Sequence, residues 1–192
     1  MTTRTLPPML SLWRADGQSG LLRAAVLVVL GSALMALSAK VQVPFIPVPM
    51  TLQSGVVLLI GGAYGWRLGG LTMLAYLAEG LAGLPVFAGL AAGPAYFSGP
   101  TAGYLVGFVA SAALMGLAVE RGWTCSLVGM AAAIVVASVV PFVTGVAWLA
   151  VLVGPAAAIS AGLLPFIPAA ALKGALAGLL LAKFDGLAQR RG

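Results

Sequence analysis

The stretch GWTCSLVGMAAAIVVASVVPFVTGVAWLAVLVGPAAAISAGLLPFIPAAAL, residues 122–172, contains no charged side chain. A helix needs about 20 apolar residues to cross the ~30 Å hydrocarbon core of a bilayer. Residues 41–66 and 80–119 form two further uncharged stretches of sufficient length. Because helices satisfy their own backbone hydrogen bonds in lipid, the sequence predicts an all-α integral membrane protein.

The composition excludes several functional classes. The chain has 192 residues, of which 61% are hydrophobic and 7% charged, whereas a soluble domain carries about 25% charged residues. The net charge of +6 is spread along the chain near predicted helix ends, so we expect no nucleic-acid partner. There is no histidine and a single cysteine, Cys125, which excludes an internal disulfide and makes a metal site or a bound cofactor improbable.

The pattern of apolar runs predicts a bundle of six transmembrane helices, at about 21–40, 51–65, 66–86, 100–119, 124–151 and 166–184. Residues 1–20 form a polar lead-in, 21–185 the membrane domain and 186–192 a basic tail. We expect Pro141 to kink the fifth helix, because proline lacks the N–H that the helix needs. Residues 152–165 are compatible with a loop, a re-entrant segment or an extension of the fifth helix.

Positive charges near helix ends predict the orientation, since cytoplasmic loops are rich in lysine and arginine. With both termini in the cytoplasm, only Lys40 falls outside. The residues on the inner side would be Arg4, Arg14, Arg23, Arg67, Arg121, Lys183, Arg190 and Arg191. This topology describes a multi-pass protein of the cytoplasmic membrane.

Four irregular segments then fall on the outer side. The tetrapeptide PFIP occurs at 44–47 and again at 165–168, and two Gly/Pro/aromatic segments lie at 83–89 and 93–104. Irregular backbone near membrane depth is tolerated only beside protein or a water-filled cavity. We interpret the four segments as the surroundings of a pocket that opens outward, although each alone could be a compact turn.

Two charged residues lie well inside the predicted spans, away from their ends. Glu79 should face the bundle interior, because an acid facing lipid would cost roughly 2.5–3.5 kcal/mol on insertion scales. It is either a structural carboxyl or a ligand contact. Lys173 is shallow enough to extend its ammonium to the interface, but beneath an outward pocket it would suit an anionic or carbonyl-bearing solute. Gln53 offers both a donor and an acceptor, and Thr51 could cap the second helix.

The motifs of several enzyme classes are missing from the sequence. It has no phosphate-binding Gly-x-x-x-x-Gly-Lys-Ser/Thr loop and no histidine to serve as a catalytic base, so we expect no enzymatic activity. Two small-xxx-small patterns, Ser32-x-x-x-Ala36 and Gly174-x-x-x-Gly178, favour close approach of helices, within the bundle or against a partner.

Four motifs in order, VPFIPVPMTLQ (43–53), GLPVFAG (83–89), GPTAGYLVGF (99–108) and PFIPAAALK (165–173), resemble the BioY family. These proteins are the biotin-specific S components of energy-coupling-factor (ECF) transporters. The resemblance covers about residues 21–184. At Ala170 the chain departs from the family, where many members carry an acidic residue three positions before the lysine.

The resemblance implies a six-helix fold, capture of biotin from outside, and partnership with a transmembrane coupling (T) protein and two ATPases. It places the coupling protein near Ser32 and Ala36. Biotin combines a ureido–thioether ring system with a valerate carboxylate, and Lys173 could meet either end. The expected apolar walls are Phe45, Val48, Phe87, Tyr96 and Tyr104; the expected ureido partners are Gln53, Tyr76 and Glu79, with Thr51 beside them.

Three alternatives stay open at this point. The chain could capture another vitamin, act as a free-standing secondary carrier, or serve as a membrane scaffold without a solute. A homo-oligomer is also compatible with the sequence.

Overall fold

The computed structural model describes residues 18–189, and the side chains of residues 20–184. The described chain is helical apart from a short β-hairpin, 3₁₀ turns and loops. In chain order its elements are α1 (Gln18–Lys40), β1 (Gln42–Val43), β2 (Met50–Thr51), α2 (Gln53–Leu81), α3 (Ala102–Glu120), α4 (Leu127–Val153), α5 (Pro155–Gly162) and α6 (Ile167–Gln189). Of the predicted lead-in only residues 18–20 are described, as the start of α1, and of the predicted basic tail the backbone of 186–189 is described, as the end of α6.

Five helical segments in the described part of the chain are long and apolar enough to cross a membrane: Gly20–Lys40, Gln53–Leu81, Ala102–Glu120, Leu127–Val153 and Pro155–Phe184. The window within Gln53–Leu81 is 78% buried, whereas the windows of the first, fourth and fifth segments are 22% buried. Helix α2 therefore forms the centre of the protein, and the other helices surround it.

Helix α2 folds back on itself at Gly65, where φ is 81° and ψ is 173°. The Nε2 atom of Gln53 lies 2.7 Å from the hydroxyl of Tyr76, yet 23 residues of straight helix would separate them by roughly 35 Å. The two halves are thus antiparallel. The turn lies where the sequence predicted one, but the second half ends at Leu81 and not at residue 86. Beyond Leu81 the chain passes through Gly83, whose φ of +97° belongs to the left-handed region that favours glycine.

Small residues let the helices approach closely. A Cβ added at Gly61 would lie 2.4 Å from the carbonyl oxygen of Ala112 in α3. Added at Gly174 or Gly178, a Cβ would lie within 3 Å of the Ile134 side chain in α4. The Gly174-x-x-x-Gly178 pattern therefore serves packing inside the bundle.

The ambiguous segment 152–165 contains a short helix. Helix α4 continues past Pro141 to Val153 and ends at Gly154, which has a φ of 86°. Helix α5 follows, with Ala158 completely buried, and a 3₁₀ turn at Leu164–Phe166 leads into α6. The segment is thus a separate helix that packs against the bundle.

Basic and aromatic side chains meet at the end of the bundle that contains the Gly65 turn. The guanidinium carbon of Arg67 lies 5.1 Å from the ring centre of Trp66, and that of Arg121 lies 5.6 Å from the ring centre of Trp123. The backbone N–H of Trp66 donates to Glu120 Oε1 (3.1 Å). The β-hairpin at 42–51 and the irregular segment 82–101 lie at the opposite end.

Candidate functional site

The two PFIP segments meet at one end of the bundle. Strands β1 and β2 pair antiparallel, with Gln42 opposite Thr51, so the first PFIP forms the tip of a β-hairpin. The second PFIP spans the end of the 3₁₀ turn at Leu164–Phe166 and the first two residues of α6. The ring centres of Phe45 and Phe166, one from each copy, lie 6.2 Å apart. The repeated tetrapeptide therefore contributes two stiff segments to one local structure.

Lys40 holds the loop between the second half of α2 and α3. Its ammonium donates to the carbonyl oxygens of Pro85 (2.6 Å), Phe87 (2.9 Å) and Gly89. Because the last residue of α1 binds three carbonyls of this loop, the loop is fixed to the bundle despite having little regular structure.

Phe87 belongs to this loop, and its side chain is completely buried in the core. Its ring stacks on Tyr96 with centres 4.8 Å apart and meets the edge of Tyr76 at 5.5 Å. Tyr96 thus has a rigid ring behind it, and its position depends on that of Phe87.

A cavity lies beneath these loops, between the start of α2 and helices α3, α4 and α6. Its walls are mainly apolar, and a few polar groups reach it. The lining residues are Val48, Pro49, Thr51, Gln53, Ser54, Leu58, Ala88, Tyr96, Thr101, Tyr104, Leu105, Phe108, Ser111, Ser138, Pro141, Phe142, Phe166, Ala170 and Lys173. The cavity has a volume of about 70 Å³, which is smaller than the ~300–1,000 Å³ typical of ligand pockets.

Lys173 brings the positive charge of this cavity. Its Nζ donates to the backbone oxygen of Thr51 (2.8 Å), which joins α6 to the β-hairpin. A Cβ at Gly55 would lie 3.2 Å from the Lys173 Cβ, so the lysine stem lies against a glycine of α2. An ammonium has three donor hydrogens; the Thr51 bond uses one, and the others are available to a bound solute.

Gln53 belongs to a buried chain of hydrogen bonds. The Thr51 hydroxyl donates to Gln53 Oε1 (3.1 Å), Gln53 Nε2 donates to the Tyr76 hydroxyl (2.7 Å), and Tyr76 donates to the carbonyl of Val86 (3.0 Å). Gln53 is 4% exposed and Tyr76 1%. The chain of bonds runs from the cavity wall to the loop that Lys40 holds.

Tyr104 forms the opposite wall and is held in a similar way. Its hydroxyl donates to the carbonyl of Gly162 at the end of α5 (2.8 Å). Gly145 lies against the ring face, where an added Cβ would fall 2.3 Å from the ring. Helix α5 thus helps to fix a residue of the cavity wall.

The structure brings together six of the ten residues that the sequence suggested for the substrate. Val48, Thr51, Gln53, Tyr96, Tyr104 and Lys173 line the cavity. Phe45 lines a shallower space next to it, which shares Pro49, Ala88, Tyr96 and Thr101 with the cavity. Tyr76 and Phe87 lie one layer behind the wall.

Glu79 lies away from the cavity wall. Its carboxylate accepts a hydrogen bond from the Ser32 hydroxyl in α1 (2.7 Å), which joins α1 to the second half of α2. Ser32 is 2% exposed, and Ala36 packs against the core. Ser32 therefore offers no accessible surface to a partner in this structure.

Several lining residues carry only a weak signal in the sequence. Ser111 and Ser138 are isolated hydroxyls within otherwise apolar helices, a signal that points to the bundle interior. Phe166 lies in the second PFIP. The Thr101 Oγ1 is a buried polar atom without a hydrogen-bond partner in the described chain. Such an atom costs about 1–3 kcal/mol, so a solute that bonds it would gain that amount.

The described residues contain no group of three or more histidine, cysteine or acidic side chains that could hold a metal ion. The cavity offers apolar walls, the lysine, the amide and the hydroxyls.

Comparison with known proteins places these features in a family. The model of the BioY family matches residues 8–190. The chain is 37% identical over 163 residues to the "Probable biotin transporter BioY" of Pyrococcus horikoshii, covering 83% of this chain and 94% of that protein. It is 35% identical over 165 residues to the "Biotin transporter BioY" of Rhizobium etli, covering 82% and 86%.

A solved structure shares the fold. The S-component for biotin from an ECF-type ABC transporter superposes with a TM-score of 0.76 at 24% sequence identity, covering 90% of this chain and 95% of that one.

Proposed function

The chain belongs to the BioY family, and we propose that it captures biotin with high affinity for import, as the substrate-specific subunit of an ECF transporter. The observation that carries this proposal is the cavity under the PFIP loops. It combines aromatic and aliphatic walls with the Lys173 ammonium and the Gln53 amide. Biotin has the matching chemistry, because its bicyclic ring and alkyl tail are apolar while its ureido group and carboxylate are polar.

The partners follow from the same proposal. An S component works with a T protein and two ABC-type ATPases, and the chain itself lacks a phosphate-binding loop. Since Ser32 is buried, we assign docking of the T protein to the lipid-facing side of α1. This side exposes Val29, Leu30, Leu34 and Leu37.

We propose six membrane spans with both termini in the cytoplasm. The count follows from treating the two halves of α2 as separate spans, since they run antiparallel from Gly65. The basic end with Arg67 and Arg121 then faces the cytoplasmic side of the inner membrane, and the cavity opens outward.

Cys125 provides a test of this orientation, because it is the sole cysteine and is exposed next to the basic end. A membrane-impermeant maleimide should label it in inside-out vesicles and leave it unlabelled in intact cells. In a Cys125→Ser background, Ser98→Cys should be labelled in intact cells. The opposite pattern would overturn the proposed orientation.

The capture function is tested by equilibrium binding of labelled biotin to the purified chain in detergent. Lys173→Ala should weaken binding about 10- to 150-fold, because a hydrogen bond from a charged group contributes about 1.5–3 kcal/mol. Lys183→Ala is the matched control, since Lys183 lies ten residues further along α6 with an exposed side chain, and it should bind like the wild type.

Competition and transport separate the alternatives. Excess unlabelled biotin should displace the label, and other water-soluble vitamins should not. Uptake by the chain alone in proteoliposomes, driven by a proton gradient, would indicate a secondary carrier. A folded chain that binds no biotin would refute the proposed function.

A further inference from the structure

We propose that Tyr76, which does not line the cavity, is a positioning residue that fixes the direction of the Gln53 amide and thereby selects a ligand edge that donates an N–H. The inference rests on the proposed capture of biotin and deepens it. It assigns the ureido edge, and not the carboxylate, to the Thr51–Gln53 side of the cavity.

The Tyr76 hydroxyl has a single proton to donate. The Val86 carbonyl, 3.0 Å away, can only accept a hydrogen bond, so Tyr76 must donate to it. The same hydroxyl has no second proton, and its bond with Gln53 (2.7 Å) therefore requires Gln53 to be the donor. The amide nitrogen consequently faces Tyr76, and the amide oxygen faces Thr51.

Thr51 cannot fix this direction by itself. Its hydroxyl donates to Gln53 Oε1 at 3.1 Å, but a hydroxyl can rotate and accept from an amide NH₂ equally well. Only the Tyr76–Val86 bond distinguishes the two orientations of the amide. Because Gln53 and Tyr76 are almost completely buried, water does not replace either bond.

The fixed amide gives this part of the cavity a definite hydrogen-bonding pattern. Gln53 presents a carbonyl oxygen on the Thr51 side. The Lys173 ammonium, an obligatory donor, binds the backbone oxygen of the same Thr51 (2.8 Å). An acceptor and a donor thus lie on either side of one residue. A urea edge is complementary to this pattern, since its N–H can meet Gln53 Oε1 while its carbonyl meets Lys173 Nζ.

The test compares biotin with the two cyclic carbamate analogues in which one or the other ureido N–H is replaced by a ring oxygen. This replacement keeps the ring shape, removes a donor and places an acceptor in its position. For the analogue whose oxygen faces Gln53, wild-type protein should bind at least about tenfold more weakly than biotin, because the buried amide oxygen loses its partner.

In Tyr76→Phe the amide is free to turn its NH₂ toward the ligand. The relevant ratio is the dissociation constant of the carbamate whose oxygen faces Gln53 divided by that of biotin. In Tyr76→Phe this ratio should fall by about fivefold or more, even if the affinity for both ligands changes. A merely structural role for Tyr76 would weaken both ligands alike and leave the ratio unchanged. The matched control is Tyr64→Phe, which removes the hydroxyl of another buried tyrosine of α2 and should keep the wild-type ratio.

Two further variants complete the test. Thr51→Val should retain the preference for biotin over the carbamate whose oxygen faces Gln53, because Tyr76 still orients the amide. If this preference is lost in Thr51→Val but kept in Tyr76→Phe, the proposal is overturned. Gln53→Met should abolish this preference, because methionine has no amide. If the preference persists in Gln53→Met, the proposal is overturned, even where Tyr76→Phe does not fold.

The proposed function and this inference fail differently. Wild-type protein that binds no biotin would refute capture itself. Wild-type protein that binds biotin and both carbamates equally would refute only the role of Tyr76.

Discussion

Replacing Gly80 by alanine should disturb the aromatic group behind the cavity wall. A Cβ at this position would lie 1.9 Å from Phe87 Cζ, whereas ordinary contacts begin at 3.4 Å. The ring tip must therefore retreat by at least 1.5 Å. Phe87 is completely buried and packs against Tyr76, Tyr96 and Phe97 with ring centres 4.8–5.5 Å away, so there is little space into which it can move.

Overpacking of this kind costs about 1–3 kcal/mol. For a chain of this size that corresponds to a fall of about 2–12 °C in the midpoint of thermal unfolding. Biotin affinity should fall as well, because the Phe87 ring stacks on Tyr96 and Tyr96 lines the cavity. The measurements are thermal unfolding in detergent and equilibrium binding on the same preparation.

Gly70→Ala is the matched control in the same half of α2. The nearest atom to an added Cβ there is Ala113 Cβ at 3.9 Å, so alanine should stabilise the helix by up to about 1 kcal/mol. Adding Phe87→Leu to Gly80→Ala should restore part of the lost stability, since contacting residues couple. If Gly80→Ala unfolds and binds like Gly70→Ala, the packing argument is refuted.

Three further predictions concern other parts of the structure. Gly116→Ala should destabilise more than Gly80→Ala in thermal unfolding, because the added Cβ would meet backbone atoms of Gly65 and Trp66 at 2.3 Å; an equal or smaller effect would contradict this. Lys40→Met should speed hydrogen exchange in the loop at 84–91 by removing its three carbonyl contacts, and unchanged exchange would show that other contacts hold the loop. Thr101→Val should leave the unfolding midpoint unchanged or higher, since its hydroxyl has no partner in the described chain, while lowering biotin affinity; a large drop in the midpoint would show that the hydroxyl is structural.

The sequence predicted the membrane class and the loops around the cavity, because both depend on local signals. Long uncharged runs can be satisfied in lipid only by helices, and proline with glycine marks irregular backbone wherever it occurs. The sharp turn after Tyr64 was likewise visible in the glycines of 61–65. These features could be predicted without knowing which helices are neighbours.

The roles of individual side chains depend on which helices pack together, and this information is not local. Glu79 was interpreted as a possible ureido partner, but α1 brings Ser32 to it. Tyr76 shares a helical face with Glu79 in the sequence, and only the fold-back at Gly65 brings it to Gln53. The role of Lys40 in the loop also required the three-dimensional path of the chain.

The bond from Lys173 to Thr51 joins residues 122 positions apart, which has a consequence for biosynthesis. At about 5–20 residues per second, a ribosome needs roughly 6–24 s to add Lys173 after Thr51. During that interval the nascent chain has most of its helices but lacks one wall of the cavity. A ligand that needs both the Thr51 side of the cavity and Lys173 can therefore bind only after the start of α6 has been made and packed.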